Sequence, residues 1–127
     1  MAPSLSLSIA EIKDALSTPD AYPHDPDRIE FKHTHISLVA LVPPRVYKIK
    51  KPVSLAYLDF STLDRRRHFC EEEVQLNRRL APNTYEGVVP LVQTDDGLRV
   101  EGDPNARDVV EVAVKMRYLE HNQFLDA

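Results

Sequence analysis

The sequence predicts an α+β domain: an antiparallel sheet of about five strands, one long helix packed on it, and an extra N-terminal helix. Three observations carry that expectation. Short β-prone runs recur between proline, glycine and aspartate turn signals, as from Ile36 to Val42 and from Val109 to Met116. Capped helical periodicity marks only two segments, one near the start and one over residues 61–80. At 127 residues, with 43% hydrophobic and 28% charged side chains, the chain has the length and balance of a single ordinary globular domain.

Composition narrows the function classes. A formal net charge of −4 argues against a general nucleic-acid binder, which carries a basic surplus. No apolar run approaches the roughly 20 residues needed to cross a bilayer. The stretch from Met1 to Ile9 lacks the basic start and continuous apolar core of a signal peptide. Cys70 is the sole cysteine, so no intramolecular disulfide forms. Together these features predict a cytoplasmic chain with neither nucleic acid nor membrane as a partner.

In chain order, residues 1–7 read as a loose end and 8–18 as a helix. Ser8 and Glu11 form a capping box ahead of the Ile9, Ile12 and Leu16 stripe, and Pro19 ends the run. Residues 21–27, with Pro23 and Pro26, read as a linker. Residues 28–33 form a first strand and 36–42 a second, more fully apolar one. Pro43-Pro44 turns the second strand into the third, Val46-Tyr47-Lys48-Ile49-Lys50-Lys51, which Pro52 stops. The long helix follows, with Ser61 as its expected N-cap, Asp64 three residues on, and Pro82 past its end. Strands are then expected at 87–92, at 98–101 after the Asp95-Asp96-Gly97 turn, and at 109–116 after Asp103-Pro104-Asn105.

Alternation along the third strand puts Tyr47 and Ile49 on one face and Lys48 and Lys50 on the other. A solvated strand face would also produce those lysines. The long helix supplies the second half of the pattern. Phe69, Leu76 and Leu80 recur at helical spacing, and Glu73 falls on the same stripe. An acid on a core-facing stripe needs a partner, because an unpaired buried charge is costly. A strand lysine paired with a helix glutamate is the arrangement that holds nucleotide phosphates in kinase-type phosphotransferases. Glu73 is preferred to Glu71 and Glu72, which lie off the stripe.

Other chemistries fit less well. Adjacent glutamates on a helix diverge and do not flank one glycosidic bond. His33 and His35 lack a third metal ligand at suitable spacing, and His68-Phe69-Cys70-Glu71 lacks the second histidine of a zinc-protease helix. Arg65-Arg66-Arg67 and Arg78-Arg79 read as a basic patch balanced by neighbouring acids, and Cys70 as a small core residue.

Several blocks resemble one family. They are Thr34-His35-Ile36-Ser37, Val46-Tyr47-Lys48-Ile49-Lys50-Lys51-Pro52-Val53, Leu58-Asp59-Phe60-Ser61-Thr62-Leu63, Arg65-Arg66-Arg67-His68-Phe69-Cys70-Glu71-Glu72-Glu73, Leu76-Asn77-Arg78-Arg79-Leu80-Ala81-Pro82 and Ala113-Val114-Lys115-Met116-Arg117. The family is the bacterial aminoglycoside-phosphotransferase-like proteins, often fused to a P-loop kinase domain. The resemblance implies a protein-kinase-like N-terminal lobe over 28–119, with 120–127 starting a second lobe that the chain lacks. It also implies ATP with Mg²⁺ as cofactors of the complete fold, with the front lobe alone holding either nucleotide or nothing.

By the resemblance, Lys48 is the phosphate lysine, with Lys50 as the other candidate, and Glu73 fixes it. The Thr34–Ser37 turn stands where protein kinases carry a glycine-rich loop, and none of the three glycines lies there. Ser37 either reaches a phosphate or caps the turn. The hinge corresponds to Met116-Arg117-Tyr118-Leu119, whose backbone would meet adenine. No catalytic residue and no metal ligand falls within the chain, since no His-x-Asp or Asp-Phe-Gly occurs in it. Expected partners are a nucleotide and either the second lobe or another chain at the hinge face. The alternative is a non-catalytic interaction module derived from the same fold.

Overall fold

The computed structural model describes residues 8–51, 61–95, 97–101 and 109–118. Pro52, Asp96, the Asp103-Pro104-Asn105 turn, Leu119 and residues 1–7 and 120–127 lie outside them. The fold is α+β and its sheet is wholly antiparallel, with six strands where about five were expected. The strands are β1 (Glu30–His33), β2 (Ser37–Val42), β3 (Arg45–Lys50), β4 (Tyr85–Thr94), β5 (Gly97–Val100) and β6 (Val109–Arg117). Their spatial order is β1-β2-β3-β6-β4-β5, so the last strand inserts between the lysine strand and β4.

The meander β1-β2-β3 follows from local turns, and helix α2 (Leu63–Arg78) then carries the chain to the other half of the sheet. Gly97 closes the β4–β5 hairpin at φ 124, a conformation a side chain would resist. Each sheet face is covered. On one face Leu38, Ala40, Tyr47 and Ile49 pack with Ile12 and Leu16 of helix α1 (Ile9–Ala15) and its C-cap. On the other, Val39, Val46, Val114 and Met116 pack with Cys70 and Val74 of α2. This double cover explains why β2 reads as a nearly continuous apolar run. It also sets aside the solvated-face alternative for Lys48 and Lys50, whose side chains are only 22% and 6% exposed.

The N-terminal capping box forms as expected: Ser8 Oγ accepts from the Glu11 N–H and Glu11 accepts from the Ser8 N–H. Past α1, Pro19 opens a short 3₁₀ turn (Pro19–Ala21), and Ala21 and Tyr22 are core residues. The expected linker is therefore partly interior. Tyr22 donates its hydroxyl to the Leu16 carbonyl at 2.7 Å, which fastens this segment beneath the sheet.

Helix α2 is shorter than the expected 61–80. Its N-cap is Thr62, whose side chain accepts from the Arg65 N–H, in place of Ser61. Its buried face is also different. Arg66, Cys70 and Val74 point inward, while Leu76 is 61% and Leu80 87% exposed and Phe69 is half-buried. At ~100° per residue, the inner face is turned by about one residue from the Phe69/Leu76/Leu80 stripe. Glu73 borders both stripes, so it faces the sheet in either case.

Candidate functional site

Lys48 and Lys50 project from β3 toward α2 because alternation assigns both to the face that also carries Val46. Glu73 meets them from the helix. Its Oε1 lies 2.8 Å from Lys50 Nζ and its Oε2 lies 3.2 Å from Lys48 Nζ. One carboxylate thus bridges two lysines. Lys50 is enclosed, with its side chain 6% exposed, whereas Lys48 is 22% exposed. Burial by itself pushes the Glu73 carboxyl up, but the charges and hydrogen bonds of Lys48 and Lys50 outweigh it and hold it below the usual value. The group stays ionised near neutral pH and can orient a cation. Asn77 caps the arrangement by donating to the Glu73 carbonyl at 2.8 Å.

Ser37 is the cross-strand partner of Lys50, so the two side chains share the α2 face of the sheet. Its backbone N–H donates to Thr34 Oγ1 at 2.9 Å, and Thr34 N–H donates to the Ser37 carbonyl at 2.9 Å. Lys51 braces the turn through the Thr34 carbonyl. Thr34 therefore closes the turn, the role open to Ser37 in the sequence. The Ser37 hydroxyl is fully buried and has no hydrogen-bond partner among the described residues.

The expected hinge is less open. Met116 is fully buried, paired with Val46 on one side and Tyr85 on the other. The Arg117 N–H donates to the Thr84 carbonyl and the Tyr118 N–H to the Pro44 carbonyl, both at 2.9 Å. Arg28 donates to the Tyr118 hydroxyl at 2.7 Å and sits over its ring. The structure thus brings Ser37, Lys48, Lys50 and Glu73 together and leaves Met116 and Tyr118 engaged elsewhere.

Over 102 residues, 80% of this chain, the sequence is 35% identical to an uncharacterised protein of Mycobacterium bovis. Uncharacterised proteins from two strains of Mycobacterium tuberculosis match over the same length at the same identity. The matched stretch is only 18% of each relative, so the chain spans less than a fifth of their length. No family model and no solved structure matches it.

A second ion pair was not foreseen in the sequence. Arg66 Nε lies 3.1 and 3.0 Å from the two carboxylate oxygens of Glu111 on β6, in the interior between helix and sheet. Burial raises the Glu111 carboxyl, and the hydrogen bond and charge of Arg66 only partly offset it. The signal was present: Glu111 is the one acid in the run Val109 to Met116, and Arg66 lies two helical turns before Glu73. On the opposite face Glu101 accepts from the Tyr47 hydroxyl at 2.6 Å and from Lys115 at 2.9 Å. Among the described residues no group of three or more metal-ligating side chains forms, and no helix is long and apolar enough to cross a membrane.

Proposed function

We propose that this chain is the nucleotide-binding front lobe of an aminoglycoside-phosphotransferase-like kinase. The observation that carries the reading is Glu73 of α2 held between Lys48 and Lys50 of β3. A helix glutamate that fixes a strand lysine is what phosphoryl-transfer enzymes of this type use to hold the α- and β-phosphates. Lys48 is the better phosphate ligand because it keeps an exposed side, whereas Lys50 is enclosed. Further support comes from the element order: an antiparallel meander ending in the lysine strand, then a helix, then a last strand returning beside that lysine strand.

Acceptor orientation and Mg²⁺ binding require acidic and amide groups that this class places in its second lobe. The 127-residue chain is therefore expected to bind ATP weakly, in the roughly millimolar range, and to transfer no phosphate. The test is nucleotide titration into wild type and Lys48→Ala, beside ATP turnover with and without Mg²⁺. Weak binding that disappears in Lys48→Ala supports the assignment. Magnesium-dependent turnover lost in Lys48→Ala would show that no second lobe is needed.

The second reading, a non-catalytic interaction module, is favoured by one observation: the Arg117 and Tyr118 N–H groups already have protein partners. Absence of binding at millimolar nucleotide selects it.

A further inference from the structure

We propose that β1 is a self-association edge: two copies of this chain pair their β1 strands antiparallel about a two-fold axis at Phe31, joining two six-stranded sheets into one. β2 separates β1 from the lysine strand, so this surface uses neither Lys48 nor Glu73.

The first reason is which backbone groups face outward. β1 ends the sheet, and among the described residues no strand pairs with its outer side. The Thr34 N–H donates to the Ser37 carbonyl across the β1–β2 turn, and Lys32 and Glu30 stand opposite Val39 and Leu41. Hydrogen-bonded pairs alternate along an antiparallel ladder, so residues 30, 32 and 34 bond to β2. Ile29, Phe31 and His33 therefore direct their N–H and C=O groups away from the sheet.

The second reason is charge. With Phe31 opposite Phe31 of the second copy, Glu30 stands opposite Lys32 and Lys32 opposite Glu30. These side chains share the sheet face of Val39 and Leu41, and opposite charges directly across a ladder attract. Glu30 lies 3.0 Å from Arg28, but that pair is more than half exposed and yields readily to a better one. Slipping the register by two residues either way sets Glu30 against Glu30 or Lys32 against Lys32. Charge thus selects the register centred on Phe31.

The third reason is contrast with the other open edges. Residues 85–90 of β4, beyond its pairing with β5, carry Pro90 and an irregularity between Tyr85 and Gly87. There Arg78 also donates to the Tyr85 and Glu86 carbonyls. β5 packs against the Pro19–Ala21 turn, where Arg99 donates to the Asp20 carbonyl. Proline, bulges and covering segments are how folds block strand addition. The β1 ladder is regular and contains no proline. Its lysine, another common guard of edges, is matched by Glu30 of the second copy.

The interface is small, with about six backbone hydrogen bonds and two ion pairs, so the expected Kd is on the order of 100 µM. Sedimentation equilibrium of the whole chain up to about 1 mM should show a reversible monomer–dimer equilibrium. Lys32→Glu alone and Glu30→Lys alone each set like charges opposite and should weaken it by at least about tenfold. An equimolar mixture of these two variants restores both opposite-charge pairs and should associate within about threefold of wild type. His33→Pro removes an outward N–H without touching the bonds to β2, and should weaken dimerisation by about tenfold or more. Circular dichroism melting confirms that each variant is folded. A wild type still monomeric at about 1 mM would overturn the proposal and leave the edge to a different strand or to none. Dimerisation unchanged in the folded variants would place the contact elsewhere and overturn it. A mixture that fails to restore association would overturn the two-fold at Phe31.

Discussion

Arg66 of α2 and Glu111 of β6 form an interior ion pair, with Nε 3.0 Å from one carboxylate oxygen and 3.1 Å from the other. It lies seven residues, two helical turns, before the Glu73 contacts on the same face of the helix. Helix α2 is thus anchored to the sheet by charge at two points, with Cys70 packed between them. The position of Glu73 against the lysines depends on both.

Removing one partner of the interior pair should be far worse than removing both. Arg66→Ala leaves Glu111 buried with no cation and should cost about 3–5 kcal/mol. The double variant Arg66→Met/Glu111→Leu should recover most of that loss. Urea unfolding of the three proteins measures it, and a double variant as unstable as Arg66→Ala would contradict the account.

The two helix-facing carboxyls should respond oppositely to pH. Glu73 is held below its usual 4.5, so its stabilising contribution is present above about pH 4.5 and is lost as pH falls through the folded value. Glu111 is raised, so its contribution is complete below 4.5 and is lost as pH rises through its folded value. Glu73→Gln should therefore cost about 3 kcal/mol at neutral pH, with the difference from wild type shrinking in acid. Stability of both proteins measured from pH 3 to 7 checks the slope; a gap that widens in acid would reverse the assignment.

Helix-face substitutions should follow the observed burial, not the apolar stripe. Val74→Ala should cost roughly 2 kcal/mol, since it deletes two buried methyl groups and leaves a void. Leu76→Ser, at a position of α2 that is 61% exposed, should stay within about 0.5 kcal/mol of wild type. Chemical denaturation of the pair suffices. The reverse ranking would mean that α2 is rotated.

Glu101 combines a tether with strain. It accepts from Tyr47 and Lys115 while adopting φ 63. Tyr47→Phe should cost about 1–2 kcal/mol through the lost charge-assisted hydrogen bond. Glu101→Gly should be less damaging than Glu101→Ala by about 1 kcal/mol, because only glycine relieves the left-handed backbone. Equal losses for the two Glu101 variants would show that the backbone there carries no strain.

What could be read from the chain alone was whatever depends on neighbours a few residues apart. Alternation set Lys48 and Lys50 against Tyr47 and Ile49, and the Ser8–Glu11 capping box marked the start of α1. Proline and glycine signals located most turns. Glu73 could be singled out because an acid beside an apolar helical stripe demands a partner, even though the stripe chosen was the wrong one. The tertiary structure decided everything that depends on distant pairing. It chose Arg66, Cys70 and Val74 over Phe69, Leu76 and Leu80 as the inner face, because Glu111 waits 45 residues away to accept Arg66. It turned Ala21 and Tyr22 of the expected 21–27 linker into core and closed the Arg117 and Tyr118 N–H groups by setting β6 between β4 and β3. It also gave the 34–37 turn its division of labour, leaving Thr34 to close it and the Ser37 hydroxyl without a hydrogen-bond partner among the described residues. Local periodicity fixes which side chains can share a face; only the register of distant strands, and the charges they carry, fixes what that face meets.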